Sequence, residues 1–146
     1  MKHARQVIRE AVITQLAGIS GITFHRSRAY NLVGLPAASV YIDSENSEAE
    51  NKDSINKPRT YSREANLLIE VVAEAVTNFD NAVDDYAAQI EADMGGDLTL
   101  GGTATDSTLY ATTIDVDGSG DKPLAVVKLN YRVWYRTTAA DPENNI

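Results

Sequence analysis

The chain has 146 residues, a formal net charge of -8, 43% hydrophobic residues and no cysteine. This length and composition fit one globular domain with its own core, not a disordered segment. The lack of cysteine excludes disulfides, thiolate catalysis and cysteine-ligated zinc, and the acidic balance disfavours tight, sequence-independent binding of nucleic acid.

Neither export nor membrane insertion is predicted. Charged side chains interrupt the apolar positions of residues 1–19, so we expect no signal peptide. No stretch approaches the ~20 apolar residues that span a bilayer. We therefore expect a soluble protein without a membrane partner, which is made in the cytoplasm and leaves it only inside an assembly.

The chain opens with a predicted helix. Apolar residues recur at three- and four-residue spacing over 4–19, which is typical of an amphipathic helix. Residues 22–24 suggest a short strand. Residues 26–36 show no regular spacing of apolar residues and are interpreted as a loop. Alternating apolar and polar residues over 38–43 then predict a strand.

A long polar segment separates this strand from the next one. We expect a loop from about Ser44 to Arg59, which is much longer than the two to five residues of an ordinary hairpin loop. From Thr60 the alternation resumes as a long strand. One of its faces is apolar apart from Arg63, so we expect that face to contact the core.

The second half predicts a helix and a hairpin. An apolar stripe over 76–94 indicates an amphipathic helix that ends at Gly95-Gly96. Residues 107–117 and 123–136 form a predicted pair of strands. The polar segment 137–146 is expected to be a flexible tail.

This order of elements predicts an α+β fold. We expect a mixed or antiparallel sheet of about four to five strands, with both helices packed on one face. Residues 1–136 would form a single domain, followed by the flexible C-terminal tail 137–146.

Signals of catalysis or of metal binding are weak. His25 could act as a general base but has no obvious partner in the sequence, and a structural role is the more frequent one. DVDGSGD at 115–121 resembles the opening of an EF-hand loop, yet the twelfth position is Val126 where a glutamate is needed. We interpret it as a turn. We therefore predict no catalytic, cofactor-binding or metal-binding residues, no cofactor and no enzymatic activity.

The long polar segment and the last strand supply the candidate partner-binding residues. The charged loop is either a solvated hairpin tip or a segment that becomes ordered against a partner protein. In the last strand, a tryptophan between two arginines has the composition of an interface hot spot, unless another part of the chain covers it. The candidates are Asp43, Glu45, Glu48, Glu50, Asp53, Lys57, Arg59, Arg132, Trp134 and Arg136.

Several segments resemble the tail terminator proteins of long-tailed phages, the family of the minor tail protein U of phage lambda. The similar segments are the helix opening at Met1-Lys2-His3, the strand 35–41 (LPAASVY) and the strand 64–71 (EANLLIEV). The closing strand 129–133 (LNYRV) agrees with the family in its place in the order of elements more than in residue identity.

The resemblance implies a role in assembly. A tail terminator is an α+β subunit that closes into a homo-oligomeric ring, a hexamer in the family, at the head-proximal end of the virion tail. The ring stops polymerisation of the tail tube protein and offers its other face to the head-side connector protein. Genome DNA passes through the lumen without specific binding, and the acidic loop would project toward the tube or line the channel.

Two other functions remain open at this stage. One is another head–tail connector or tail completion protein of similar size. The other is a small hydrolase or ligand-binding module with a pocket between helices and sheet. The apolar character of the predicted core-facing strand residues argues against such a pocket.

Overall fold

Two helices and a five-stranded sheet make up the described part of the chain, so the predicted α+β class is confirmed. The computed structural model describes residues 2–25, 36–51, 58–75, 79–117 and 123–146. The elements in chain order are α1 (Ala4–Leu16), β1 (Thr23–His25), β2 (Ala37–Ala49), β3 (Thr60–Glu74), α2 (Phe79–Gly96), β4 (Asp106–Asp117) and β5 (Leu124–Thr138).

The sheet is mixed, with the strand order β1-β2-β3-β5-β4. The short β1 runs parallel to β2, whereas the other neighbouring strands are antiparallel. β3 and β5 pair along their whole length, from Thr60↔Thr138 to Glu74↔Leu124. These two long strands occupy the middle of the sheet, and β4 lies at one edge.

The core lies between the helices and one face of the sheet. On α1 the buried residues recur every four positions, which matches the turn of a helix. On β5 the predicted alternation is confirmed, because every second residue is buried. These core residues are Ala4, Ile8, Val12 and Leu16 of α1, and Ala125, Val127, Leu129, Tyr131, Val133 and Tyr135 of β5.

The predicted loop from Ser44 to Arg59 is wrong for its first part. β2 continues to Ala49, and its pairing with β3 extends to Ala49↔Tyr61. The pairing satisfies backbone donors and acceptors whatever the side chains are, so polar residues can continue a strand. A register shift between Ile42 and Ser44 marks the point where the strand leaves the apolar pattern.

The C-terminal segment is hydrogen-bonded to the body of the protein. β5 ends at Thr138, so the predicted domain boundary at residue 136 lies inside this strand. Further along, the carbonyl of Pro142 accepts from the amide of Ala4 at 2.9 Å, and the amide of Ile146 donates to the carbonyl of Arg136 at 2.9 Å. The flexibility predicted for 137–146 stays a prediction.

Gln15 joins the two helices at the C-terminal end of α2. Its side-chain amide donates to the backbone carbonyls of Asp93 at 2.8 Å, Met94 at 3.4 Å and Asp97 at 3.1 Å. The last carbonyls of a helix have no partner inside it, so a side chain that reaches them stabilises the helix end. Gln15 therefore fixes where α2 ends.

The turn after α2 is organised by one carboxylate. Asp97 accepts from the amides of Thr99 at 3.0 Å and Gly101 at 2.9 Å, and also from the Thr99 hydroxyl at 2.7 Å. These bonds hold the pKa of Asp97 below its ordinary value. The turn buries Leu100, which has a positive φ of 53°, and leaves Leu98 exposed beside β4.

We expect Gln15→Ala to lower the free energy of unfolding by about 1–3 kcal/mol, because carbonyls at the end of α2 lose their donor. Urea denaturation followed by circular dichroism measures this difference. Gln89→Ala is the matched control, because Gln89 is exposed and its amide bonds only within α2. Equal stability of the two variants would contradict the role assigned to Gln15.

Candidate functional site: the outer face of the sheet

The face of the sheet opposite the helices, here called the outer face, carries a polar and aromatic surface at one end. Along β3 and β5 the side chains that do not enter the core point to this face. Register places three cross-strand pairs side by side at this end. They are Ser62↔Arg136, Glu64↔Trp134 and Asn66↔Arg132.

Trp134 lies in the middle of this surface. It is half-buried and lines a groove of about 390 Å³ together with side chains of β2 and β3. Glu48 and Glu64 are the acidic members of this groove. A partly covered indole beside carboxylates offers apolar area together with hydrogen-bond acceptors, a combination that suits protein recognition.

Arg132 organises one side of Trp134. Its Nε lies 3.3 Å from Oε1 of Glu64, and its guanidinium lies 4.5 Å from the ring centroid of Tyr110 on β4. The Tyr110 hydroxyl donates to Oδ1 of Asn66 at 2.6 Å, and the Asn66 amide donates to Oδ1 of Asp43 at 2.7 Å. Side chains from β2, β3, β4 and β5 are thus connected across the outer face.

Arg136 organises the other side through a two-pronged contact with Glu50. Its Nε and Nη2 donate to the two carboxylate oxygens of Glu50 at 2.8 and 2.7 Å. The hydrogen bond from Arg136 lowers the pKa of Glu50, and the same bond raises the pKa of Arg136. Both side chains stay open to solvent, so the pair orients the guanidinium more than it stabilises the fold.

The structure brings six of the ten predicted partner-binding residues to this end of the outer face. These are Asp43, Glu48, Glu50, Arg132, Trp134 and Arg136. Arg59 is exposed, and its carbonyl accepts from the amide of Ala139 at 2.8 Å. Asp53 and Lys57 lie outside the described residues.

Glu45 does not belong to the outer face. It pairs with the core residue Ala65 and is largely buried, with a side-chain exposure of 9%. Its Oε2 accepts from Nη1 of Arg5 at 2.5 Å and from Nη1 of Arg63 at 3.3 Å. Glu45 thus differs from the other candidates, because its carboxylate is already occupied inside the chain, and its role in partner binding stays a prediction.

Two further side chains complete the cluster around Glu45. The Tyr135 hydroxyl donates to Oε1 of Glu45, and Nε of Arg63 donates to the Thr137 hydroxyl at 3.0 Å. Burial, together with the bond to Glu45, raises the pKa of Tyr135 far above its ordinary value. The cluster ties α1, β2, β3 and β5 together where the apolar core ends.

His3 lies beside this cluster and caps α1. Its Nδ1 accepts from the amide of Arg5 at 3.1 Å, which satisfies one of the free donors at the helix N-terminus. Burial lowers the pKa of His3, and the positive charges of Arg5 and Arg63 lower it further. The neutral imidazole is therefore the form that the fold prefers.

Sequence reasoning missed the residues that complete both groups of contacts. On the outer face these are Glu64, Asn66 and Tyr110, whose contacts depend on strand register. In the buried cluster, Arg63 gave the one available signal, because it interrupts an otherwise apolar strand face. Its partner Glu45 could not be identified without the register of β2.

No protein family profile and no curated protein matches this chain. Among solved structures, a similar chain comes from the virion of a native gene transfer agent particle. It shares 12% sequence identity at a TM-score of 0.39, over 88% of this chain and 94% of that chain. A TM-score this low does not by itself establish a shared fold or function.

The described ranges contain neither a group of metal-binding side chains nor a membrane-spanning helix. No three His, Cys, Asp or Glu side chains among these residues come together in a group that could hold a metal ion. None of the helices found there is long and apolar enough to cross a membrane.

We expect His3→Asn to reduce the loss of stability between pH 7.5 and pH 5.5. Because the folded-state pKa of His3 lies below its ordinary value of 6.5, its contribution is present above that pH. The contribution is lost as the pH falls through the folded-state pKa, since the unfolded chain then binds more protons. Asparagine caps a helix without titrating.

Denaturation midpoints at the two pH values measure this effect. Lys2→Asn is the control, because it removes a neighbouring exposed charge and leaves His3 in place. If His3→Asn and the unmodified protein lost the same stability, the cap would not be the pH-sensitive group.

Proposed function

We propose that this protein is a structural subunit of a phage virion, a tail terminator that forms a ring at the head-proximal end of the tail. The observation that carries the proposal is the outer face, where a half-buried Trp134 lies between Arg132 and Arg136. Tryptophan and arginine are the residue types most enriched among side chains that dominate the energy of protein interfaces.

The layout of this face suits repeated assembly. A ring requires a heterologous interface, in which one patch binds a different patch of the neighbouring copy and the rotation closes. Such interfaces combine an apolar centre with a polar rim. Trp134 supplies the centre, and the pairs Arg132–Glu64 and Arg136–Glu50 supply the rim.

The resemblance to tail terminators supports the same role. Its similar segments 35–41 and 64–71 fall largely on β2 and β3, which are paired with each other. The α+β subunit that the resemblance implies agrees with the two helices and mixed sheet described above.

The proposed partners follow from the position in the tail. One side of the ring, a hexamer in this proposal, binds the tail tube protein and stops its polymerisation, and the other side binds the head-side connector protein. The role requires binding surfaces and no catalysis. A net charge of -8 lets genome DNA pass the ring without adhering, because like charges repel.

We expect Trp134→Ala to weaken ring formation, or binding to assembled tail tubes, by about 30-fold or more. A hot-spot residue contributes about 2 kcal/mol or more to binding. Light scattering over a concentration series measures self-association, and cosedimentation with tail tubes measures docking. Asn81→Ala is the control, because Asn81 is exposed on α2 and belongs to neither the groove nor its rim.

Three outcomes would contradict parts of the proposal. If Trp134→Ala lowered the melting temperature and left assembly unchanged, the outer face would serve folding and not binding. If the unmodified protein neither self-associated nor bound tail tubes, it would not be a tail terminator. Binding to the head-side connector alone would instead identify a connector or tail completion protein.

A further inference from the structure

β4 is an edge strand with an open side. It is the last strand in the sheet order, and the described strands leave its outer edge unpaired. Three of its large side chains, Tyr110, Ile114 and Val116, are 44–51% exposed. Edge strands are commonly protected by lysine or proline, and β4 contains neither, although it has a register shift between Leu109 and Ala111.

The side of β4 that faces the helices carries two exposed apolar residues near the end of the strand. Ile114 and Val116 lie opposite Val127 and Ala125, which are fully buried, so both exposed side chains extend the core face beyond its covered part. Toward the opposite end of this strand, a groove of about 290 Å³ runs between α2 and the start of β4. Its apolar lining comes from Met94, Leu98, Leu109 and Tyr131.

The other side of β4 is acidic. Asp106 lies opposite Trp134 and Asp115 lies opposite Val126, both on the outer face. Neither carboxylate has an ion pair with a described residue, and the same holds for Glu91 at the rim of the groove. Glu91 also raises the pKa of Tyr131, after the larger effect of burial.

We propose that the β4 edge binds an extended segment of another protein, in which apolar and basic residues alternate. Added as a sixth strand, such a segment gains main-chain hydrogen bonds from the open edge. Its apolar side chains would contact Leu98, Ile114 and Val116 on the helix side. Its lysine or arginine side chains would face Asp106 and Asp115, because successive side chains of a strand point to opposite faces.

Charge disfavours a second copy of this chain as the occupant. Another β4 would bring its own Asp106 and Asp115 to the same edge, and like charges that come directly opposite each other across a strand pair are destabilising. The part of β2 that extends beyond its pairing with β1 carries Asp43 and Glu48, so it would be repelled in the same way. The inference is therefore independent of the proposed ring and concerns a different partner.

The test uses two labelled synthetic peptides of nine residues, one alternating valine with lysine and the other alternating valine with glutamate. Fluorescence anisotropy measures their affinity for the full chain, and hydrogen exchange shows which amides they protect. We expect the lysine peptide to bind at least about tenfold more tightly than the glutamate peptide. We expect it to protect backbone amides within 106–116.

A charge-reversed variant makes the test specific. Asp106→Lys combined with Asp115→Lys should invert the preference between the peptides, because attraction at two positions becomes repulsion. Asp85→Lys combined with Asp93→Lys is the matched control, because it makes the same change of charge on α2, where Asp93 lines a separate groove beside Gln15 of α1. The control should keep the preference for the lysine peptide.

Each remaining outcome overturns the proposal. Equal binding of both peptides would mean that the carboxylates do not select the partner. Binding of the lysine peptide without protection of 106–116 would place it elsewhere on the acidic surface. Protection of 106–116 that grows with protein concentration alone would identify a second copy as the occupant. The protection measurement on unmodified protein keeps the test decisive even if the charge-reversed variant does not fold.

Discussion

The uninterrupted pairing of β3 with β5 is the constraint on which the rest of the structure depends. All fifteen residues of β3 oppose the fifteen residues of β5 without a register shift. Because side chains alternate along a strand, this pairing decides at once which residues enter the core and which reach the outer face. A slip of one residue would bury Arg132 and Trp134 and expose Leu129 and Val133, so the core and the candidate site are specified together.

The same pairing explains why the ion cluster around Glu45 lies at the end of the apolar core. β3 and β5 are longer than the helices that cover them, so their core-facing positions continue beyond the apolar region. There Arg63 and Tyr135 replace aliphatic residues, and Glu45 of β2 satisfies both. Removing Glu45 would leave the largely buried guanidinium of Arg63 without its carboxylate, and breaking a buried pair in this way costs about 3–5 kcal/mol. The cluster therefore holds α1 and β2 at the end of the sheet in one arrangement.

The sequence predicts the elements of this fold that have a periodic apolar pattern. It does not predict the features that depend on strand register. The alternation of apolar and polar residues identified β3 and β5. The recurrence of apolar residues such as Ala4, Ile8 and Val12 at helical spacing identified α1. The end of β2 was missed because polar residues follow the register shift, where backbone pairing and not side-chain polarity maintains the strand. Contacts such as Arg132 over Tyr110 join residues far apart in sequence, so composition indicated interface residues but could not assemble them.

The outer face near Trp134 and the β4 edge differ in whether their charged side chains are already paired. This difference decides which kind of interaction each surface can support. On the outer face, Arg132 and Arg136 already have carboxylate partners within the subunit, so a protein that docks there gains mainly by covering Trp134. At the β4 edge, Asp106 and Asp115 have no ion pair with a described residue, so a basic segment gains electrostatic attraction that salt screens over about 8–10 Å. Binding at the outer face should thus tolerate salt, whereas binding at β4 should weaken as salt rises.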